Sequence, residues 1–76
     1  MTENIYKADM LGYIKENLSK KLPRLTFQGF PSKKFMSLSY PICYSLYWEL
    51  LNAPHFFEAS CIEFGLFVRE VEKEVV

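Results

Sequence analysis

The first third of the chain carries apolar residues at the spacing of a helix. A stripe with three- and four-residue steps is formed by Leu11, Ile14, Leu18 and Leu22, and it is extended by Ile5 and Ala8. Thr2 or Asn4 can cap the start, and Pro23 ends the run. Lys20 and Lys21 come where the helix macrodipole favours cations. The pattern predicts an amphipathic helix at the N-terminus.

The middle of the chain changes to a period of two. Every even position from 36 to 50 is apolar, namely Met36, Leu38, Tyr40, Ile42, Tyr44, Leu46, Trp48 and Leu50. Such alternation is typical of a strand, because a helix would distribute these residues around its circumference. Pro41 lacks an amide donor and is expected to split the run or to mark a bulge on an edge strand. We therefore predict extended structure over 36–50, preceded by a short strand in 24–29.

The region from 57 to 75 fits two templates. Alternation through Ile62, Phe64, Leu66 and Val68 indicates a strand that ends at about Val68. A helical seam of four- and three-residue steps also runs through Phe57, Cys61, Phe64, Val68, Val71 and Val75. The strand is favoured because phenylalanine, isoleucine and valine suit a pleated surface, and because Gly65 weakens a helix. The tail 69–76 is expected to form a helical turn or to fray.

Together these elements predict one small α+β domain over residues 1–76. The N-terminal amphipathic helix would pack on one face of a three- to four-stranded antiparallel sheet, and an all-α three-helix fold is the alternative. One helix covers one face, so the odd-numbered face would keep apolar surface. Its candidate interface residues are Phe35, Tyr47, Leu51, Phe57 and Phe67. Such surface favours contact with another protein or with a second copy of the chain, unless loops or the tail close over it.

Charge is sorted along the chain although the formal net charge is zero. Residues 17–48 contain no acid and five cations, namely Lys20, Lys21, Arg24, Lys33 and Lys34. Phe27, Phe30 and Phe35 lie between and beside these cations. Cations next to exposed rings are typical of proteins that bind single-stranded nucleic acid. That function is the weaker alternative, because nucleic-acid-binding domains are usually basic overall.

No motif for catalysis, metal or cofactor binding is recognisable. His55 is the only histidine, and neither it nor the two cysteines, Cys43 and Cys61, has the paired spacing of a zinc site. Glu49, Glu58 and Glu63 are candidates for acid–base chemistry, but a position on the solvated surface accounts for them equally well. We therefore expect no enzyme activity, no metal and no cofactor. The cysteines are expected to be small buried thiols, with a cross-strand disulfide as the alternative.

The cellular location predicted from the sequence is the cytoplasm. No uncharged stretch reaches the roughly 20 apolar residues that span a bilayer, and the N-terminus does not follow the pattern of a signal peptide. We expect no membrane partner. The favoured function is a non-enzymatic protein-interaction module that acts as a small inhibitor, adaptor or subunit.

Overall fold

All regular secondary structure in the described part of the chain is helical. A computed structural model describes residues 2–67. Its α-helices are α1 (Thr2–Lys21), α2 (Ser32–Ser37), α3 (Tyr40–Asn52) and α4 (Pro54–Glu63), and a 3₁₀ turn spans Phe27–Gly29. Between residues 2 and 67 there is no strand, so the predicted α+β fold and antiparallel sheet are wrong. The all-α alternative is confirmed as a fold class, with four α-helices in this range where it expected three. The predictions for Val68 and for 69–76 lie outside the described residues.

The predicted N-terminal helix is confirmed, but its buried face is rotated from the predicted stripe. The buried residues are Lys7, Met10, Ile14 and Leu18, whereas Ile5 is 63% exposed. The steps between the buried positions are three, four and four residues, which keeps them on one side of the helix. Glu3 in the first turn and the lysines in the last turn oppose the helix macrodipole.

Helix α3 explains why the period of two was misleading. Its buried side consists of Cys43, Leu46 and Leu50, at helical steps of three and four. Tyr44 and Trp48 supplied the apparent alternation, and each is 48% exposed. The helix therefore has apolar residues on its buried side and on an exposed side, and together they occupy every even position from 40 to 50. Pro41 lies in the first turn, where a helix tolerates a missing amide donor.

Helix α4 ends shortly before Gly65, a residue that the sequence analysis took as evidence for a strand. Gly65 has φ +78°. Its amide donates to the Ile62 carbonyl over 3.1 Å, and the Leu66 amide donates to the Cys61 carbonyl over 2.7 Å. This pair of bonds is a Schellman motif, in which glycine takes the left-handed position after the last turn. The helical seam through Phe57 and Cys61 was thus the right template for this region, and both side chains are buried.

The hydrophobic core lies around α3, which packs against both α1 and α4. The segment that connects α1 to α2 contributes Phe30, which is 4% exposed. Its ring centroid lies 5.7 Å from that of Phe35, 6.3 Å from that of Phe57 and 5.6 Å from that of Phe67. Phe30 therefore joins the connecting segment, α2 and α4 in one cluster of phenylalanine rings.

The short helix α2 is held by side chains that bind its last carbonyls. Lys7 of α1 is 8% exposed, and its Nζ donates to the Met36 carbonyl over 3.1 Å. The Cys43 thiol of α3 donates to the Phe35 carbonyl over 3.2 Å. A helix leaves its final carbonyls without partners in the helix, and Lys7 supplies such a partner to the Met36 carbonyl. The Phe35 carbonyl also accepts from the Leu38 amide over 3.1 Å, so the Cys43 thiol is its second donor. A positive charge at this end also opposes the macrodipole.

Candidate functional site

An open cleft lies between α1 and α3. The chain has five tyrosines, and all five line this cleft: Tyr6, Tyr13, Tyr40, Tyr44 and Tyr47. Asp9 and Met10 complete the lining, and the cleft has a volume of about 210 Å³. We call it the tyrosine cleft.

The rings of the tyrosine cleft form a continuous chain of contacts. Tyr6 of α1 lies 6.3 Å from Tyr40 of α3, and Tyr13 of α1 lies 5.2 Å from Tyr47 of α3, measured between ring centroids. Along α3, Tyr44 lies 6.4 Å from Tyr40 and 6.1 Å from Tyr47. These separations are in the range at which aromatic pairs attract each other. The rings therefore support one another in a preformed surface.

The geometry follows from the spacing of the tyrosines. Positions 40, 44 and 47 share one face of α3, and positions 6 and 13 are two turns apart on α1. The pairing of Tyr6 with Tyr40 and of Tyr13 with Tyr47 shows that α1 and α3 run in the same direction. Parallel neighbours require a long connection, which the segment 22–39 provides.

Part of this aromatic surface is open to solvent. Tyr6 is 50% exposed and Tyr44 is 48% exposed, while the other three tyrosines are half-buried. A second hollow of about 330 Å³ continues the surface along α3 and is lined by Tyr44, Ser45, Trp48 and Glu49. The two hollows share Tyr44, which makes this residue the centre of the exposed surface.

Among residues 2–67, Asp9 is the one charged residue that lines the tyrosine cleft. It is exposed, and within the range 2–67 it makes no ion pair. The cleft therefore combines the negative faces of aromatic rings with one free carboxylate.

The interface residues predicted from the sequence do not share a surface. Phe35 and Phe57 are fully buried in the core, and Phe67 packs against Phe30, which corrects their assignment to an exposed sheet face. Leu51 is 40% exposed on α3. Of the five predicted residues only Tyr47 lines the cleft. The sequence analysis did not identify Tyr6, Tyr13, Tyr40 and Tyr44 as site residues. The steps of four and three residues from position 40 to position 47 place three tyrosines on one helix face, and this spacing could have indicated the site.

The basic segment lacks the exposed rings that the nucleic-acid alternative requires. Phe30 and Phe35 are buried, and Phe27 is half-buried and stacks on Phe30. Two of the predicted cations are engaged, because Arg24 pairs with Glu58 and the Lys21 ammonium donates to the Leu51 carbonyl. The remaining three, which are exposed, are Lys20, Lys33 and Lys34.

The residues considered for catalysis or metal binding are dispersed. His55 is exposed at the start of α4, with its ring 4.2 Å from that of Phe56. No group of three or more potential metal ligands occurs in the described portion of the chain. Cys43 and Cys61 are both buried and free, as the sequence predicted. Burial raises the pKa of both thiols, and the nearby Glu49 and Glu58 raise that of Cys61 further.

In the part of the chain that the structure describes, no helix is long and apolar enough to cross a membrane. Comparison with known proteins found no matching family model, no similar curated protein and no similar solved structure. The functional argument therefore depends on the geometry of the tyrosine cleft.

Proposed function

We propose that this protein is a non-enzymatic protein-binding module, acting as a small inhibitor, adaptor or subunit, and that it binds through the tyrosine cleft. The observation that carries this proposal is the convergence of all five tyrosines on one open surface. Tyrosine offers a large and rigid contact area with a polar tip, and it loses little conformational entropy on binding. Aromatic residues are accordingly enriched in protein interfaces and among the residues that dominate their energy.

The exposure of the cleft supports this function over a purely structural role. A tyrosine that only stabilises the fold has no need to leave half of its surface in water, as Tyr6 and Tyr44 do. The neighbouring Trp48 is also 48% exposed, so the apolar surface continues beyond the cleft. Contiguous exposed apolar surface marks interaction sites. The partner is another protein or a second copy of the chain.

Two matched variants of the full chain test the proposal. Tyr44→Ala removes a ring that is 48% exposed from the centre of the surface, and Phe56→Ala removes a ring that is 56% exposed on α4, outside both hollows. Partners captured from the source cells by the unmodified chain are identified, purified and titrated against each variant. Light scattering over a dilution series tests a second copy as the partner.

We expect Tyr44→Ala to weaken binding about tenfold or more, which is the effect of losing an interface hot spot. Phe56→Ala should change the affinity by less than about twofold, as expected for a residue outside the interface. Equal losses in the two variants, or a chain that stays monomeric and has no partner sensitive to Tyr44→Ala, would refute the proposed function.

A further inference from the structure

We infer that the tyrosine cleft receives an arginine side chain of the partner, with Asp9 as its counter-ion. This inference rests on the proposed function and specifies the chemistry of the partner at the same site. It starts from one juxtaposition, in which five tyrosine rings and a carboxylate without an ion pair in the described range line one hollow.

Aromatic rings and a carboxylate attract the same kind of group. The face of a tyrosine ring is negative and attracts a cation within about 6 Å of its centroid. Asp9 adds a full negative charge to the wall of the cleft. A partner that covered this carboxylate without pairing it would have to bury an isolated charge, which is costly. A cation on the partner removes this cost by pairing with Asp9, and it gains the attraction of the rings as well.

Arginine meets these requirements better than lysine. Its planar guanidinium can stack on an aromatic face while its N–H groups donate two parallel hydrogen bonds to a carboxylate. It is also more weakly hydrated than an ammonium, so it loses less on leaving water. The cleft volume of about 210 Å³ corresponds to several water molecules, which one long side chain can displace.

The test uses two small probes that differ in charge. N-acetyl-arginine methylamide and its citrulline counterpart, which has a similar shape and no charge, are titrated into the ¹⁵N-labelled full chain. We expect saturable shifts at residues around the cleft with a millimolar dissociation constant for arginine, and binding at least about fivefold weaker for citrulline. Equal affinity for the two probes, or shifts that lie away from the cleft, would overturn the inference.

Two charge variants complete the test. Asp9→Asn keeps the shape of the side chain and removes its charge, so the affinity for arginine should fall at least about twofold, while the attraction of the rings for the cation remains. Glu63→Gln removes an exposed carboxylate at the end of α4, away from the cleft, and should leave the affinity unchanged. Equal losses in the two variants would overturn the inference.

The same variants separate this inference from the proposed function. A protein partner that is lost with Tyr44→Ala but retained with Asp9→Asn would contradict the arginine inference and leave the proposed function standing. The absence of any partner sensitive to Tyr44→Ala would contradict the proposed function, whether or not the arginine probe binds.

Discussion

The ring of Tyr13 on α1 meets the ring of Tyr47 on α3 edge to face, with centroids 5.2 Å apart and planes inclined at 77°. A second pair, Tyr6 with Tyr40, joins the same two helices seven residues earlier on each. Both contacts require α1 and α3 to lie side by side. The tyrosine cleft therefore depends on helix packing. Variants that weaken the core should lower the free energy of unfolding, whereas variants that change only the cleft should lower the affinity for the partner.

Phe30→Ala should cause the largest loss of stability among the variants considered. Phe30 is 4% exposed and lies beside the rings of Phe35, Phe57 and Phe67. Truncating a buried phenylalanine costs about 3–5 kcal/mol, which is a large part of the total of about 4–11 kcal/mol expected for a domain of this size. Urea unfolding followed by circular dichroism measures the change. A loss below about 1 kcal/mol would contradict the central position of Phe30, since typical costs are threefold higher.

Lys7→Met should destabilise the protein although it makes α1 more apolar. The variant removes the donor that binds the Met36 carbonyl at the end of α2. We expect a loss of about 1 kcal/mol in the free energy of unfolding, as for other hydrogen bonds in partly buried settings. Lys15→Met on the exposed side of α1 is the control and should change stability by less than about 0.5 kcal/mol. Equal effects of the two variants would show that the Lys7 hydrogen bond does not stabilise α2.

The same substitution at two glycines should have opposite effects. Gly12 lies within α1, and a Cβ atom there would meet nothing within 4 Å, so Gly12→Ala should stabilise by about 0.5–1 kcal/mol through helix propensity. Gly65 has φ +78°, so Gly65→Ala should destabilise by about 1–2 kcal/mol. Thermal unfolding of both variants measures these changes. A stabilising Gly65→Ala would contradict the left-handed end of α4.

The buried thiol of Cys61 should reduce stability at alkaline pH. Burial, with the nearby Glu49 and Glu58, raises the pKa of Cys61 above the ordinary value of 9.0. Above pH 9.0 the unfolded chain loses this proton while the folded chain retains it, so the free energy of unfolding falls as the pH rises. The expected contribution is about 1 kcal/mol between pH 9 and pH 10.

Urea titrations of the unmodified chain and of Cys61→Ala at both pH values test this prediction. The variant lacks the thiol, so its stability should fall less over the same interval. Identical pH dependence in the two proteins would show that Cys61 is not held protonated by the fold.

The sequence predicted α1 because leucine and isoleucine recur in it at three- and four-residue steps and because lysines and a proline mark its end. It failed at α3 because the exposed Tyr44 and Trp48 are as apolar as the buried Leu46 and Leu50. The exposed Tyr44 and Trp48 stand at even positions together with Leu46 and Leu50, and this arrangement left a pattern that resembled a strand. The error at α3 and the candidate site therefore have one cause, the aromatic surface of α3.

The positions of proline and glycine indicated the helix boundaries better than the period of two indicated the fold. Pro41 and Pro54 each lie in the first turn of a helix, where proline is favoured, and Gly65 follows the end of α4. Pro41 begins a helix where the sequence analysis expected a break or bulge in a strand, and Gly65 follows a helix end where it expected a strand to continue. The cleft itself depends on the pairing of α1 with α3, which no local pattern specifies.

Aromatic side-chain NOEs in the full chain test the central claim most directly, because the cleft exists only if tyrosines of α1 and α3 are in contact. With residue-specific ring assignments, the account predicts cross-peaks between the rings of Tyr13 and Tyr47, and between those of Tyr6 and Tyr40. The absence of both, together with the cross-strand backbone contacts of a sheet over 36–50, would contradict the helical packing and remove the tyrosine cleft.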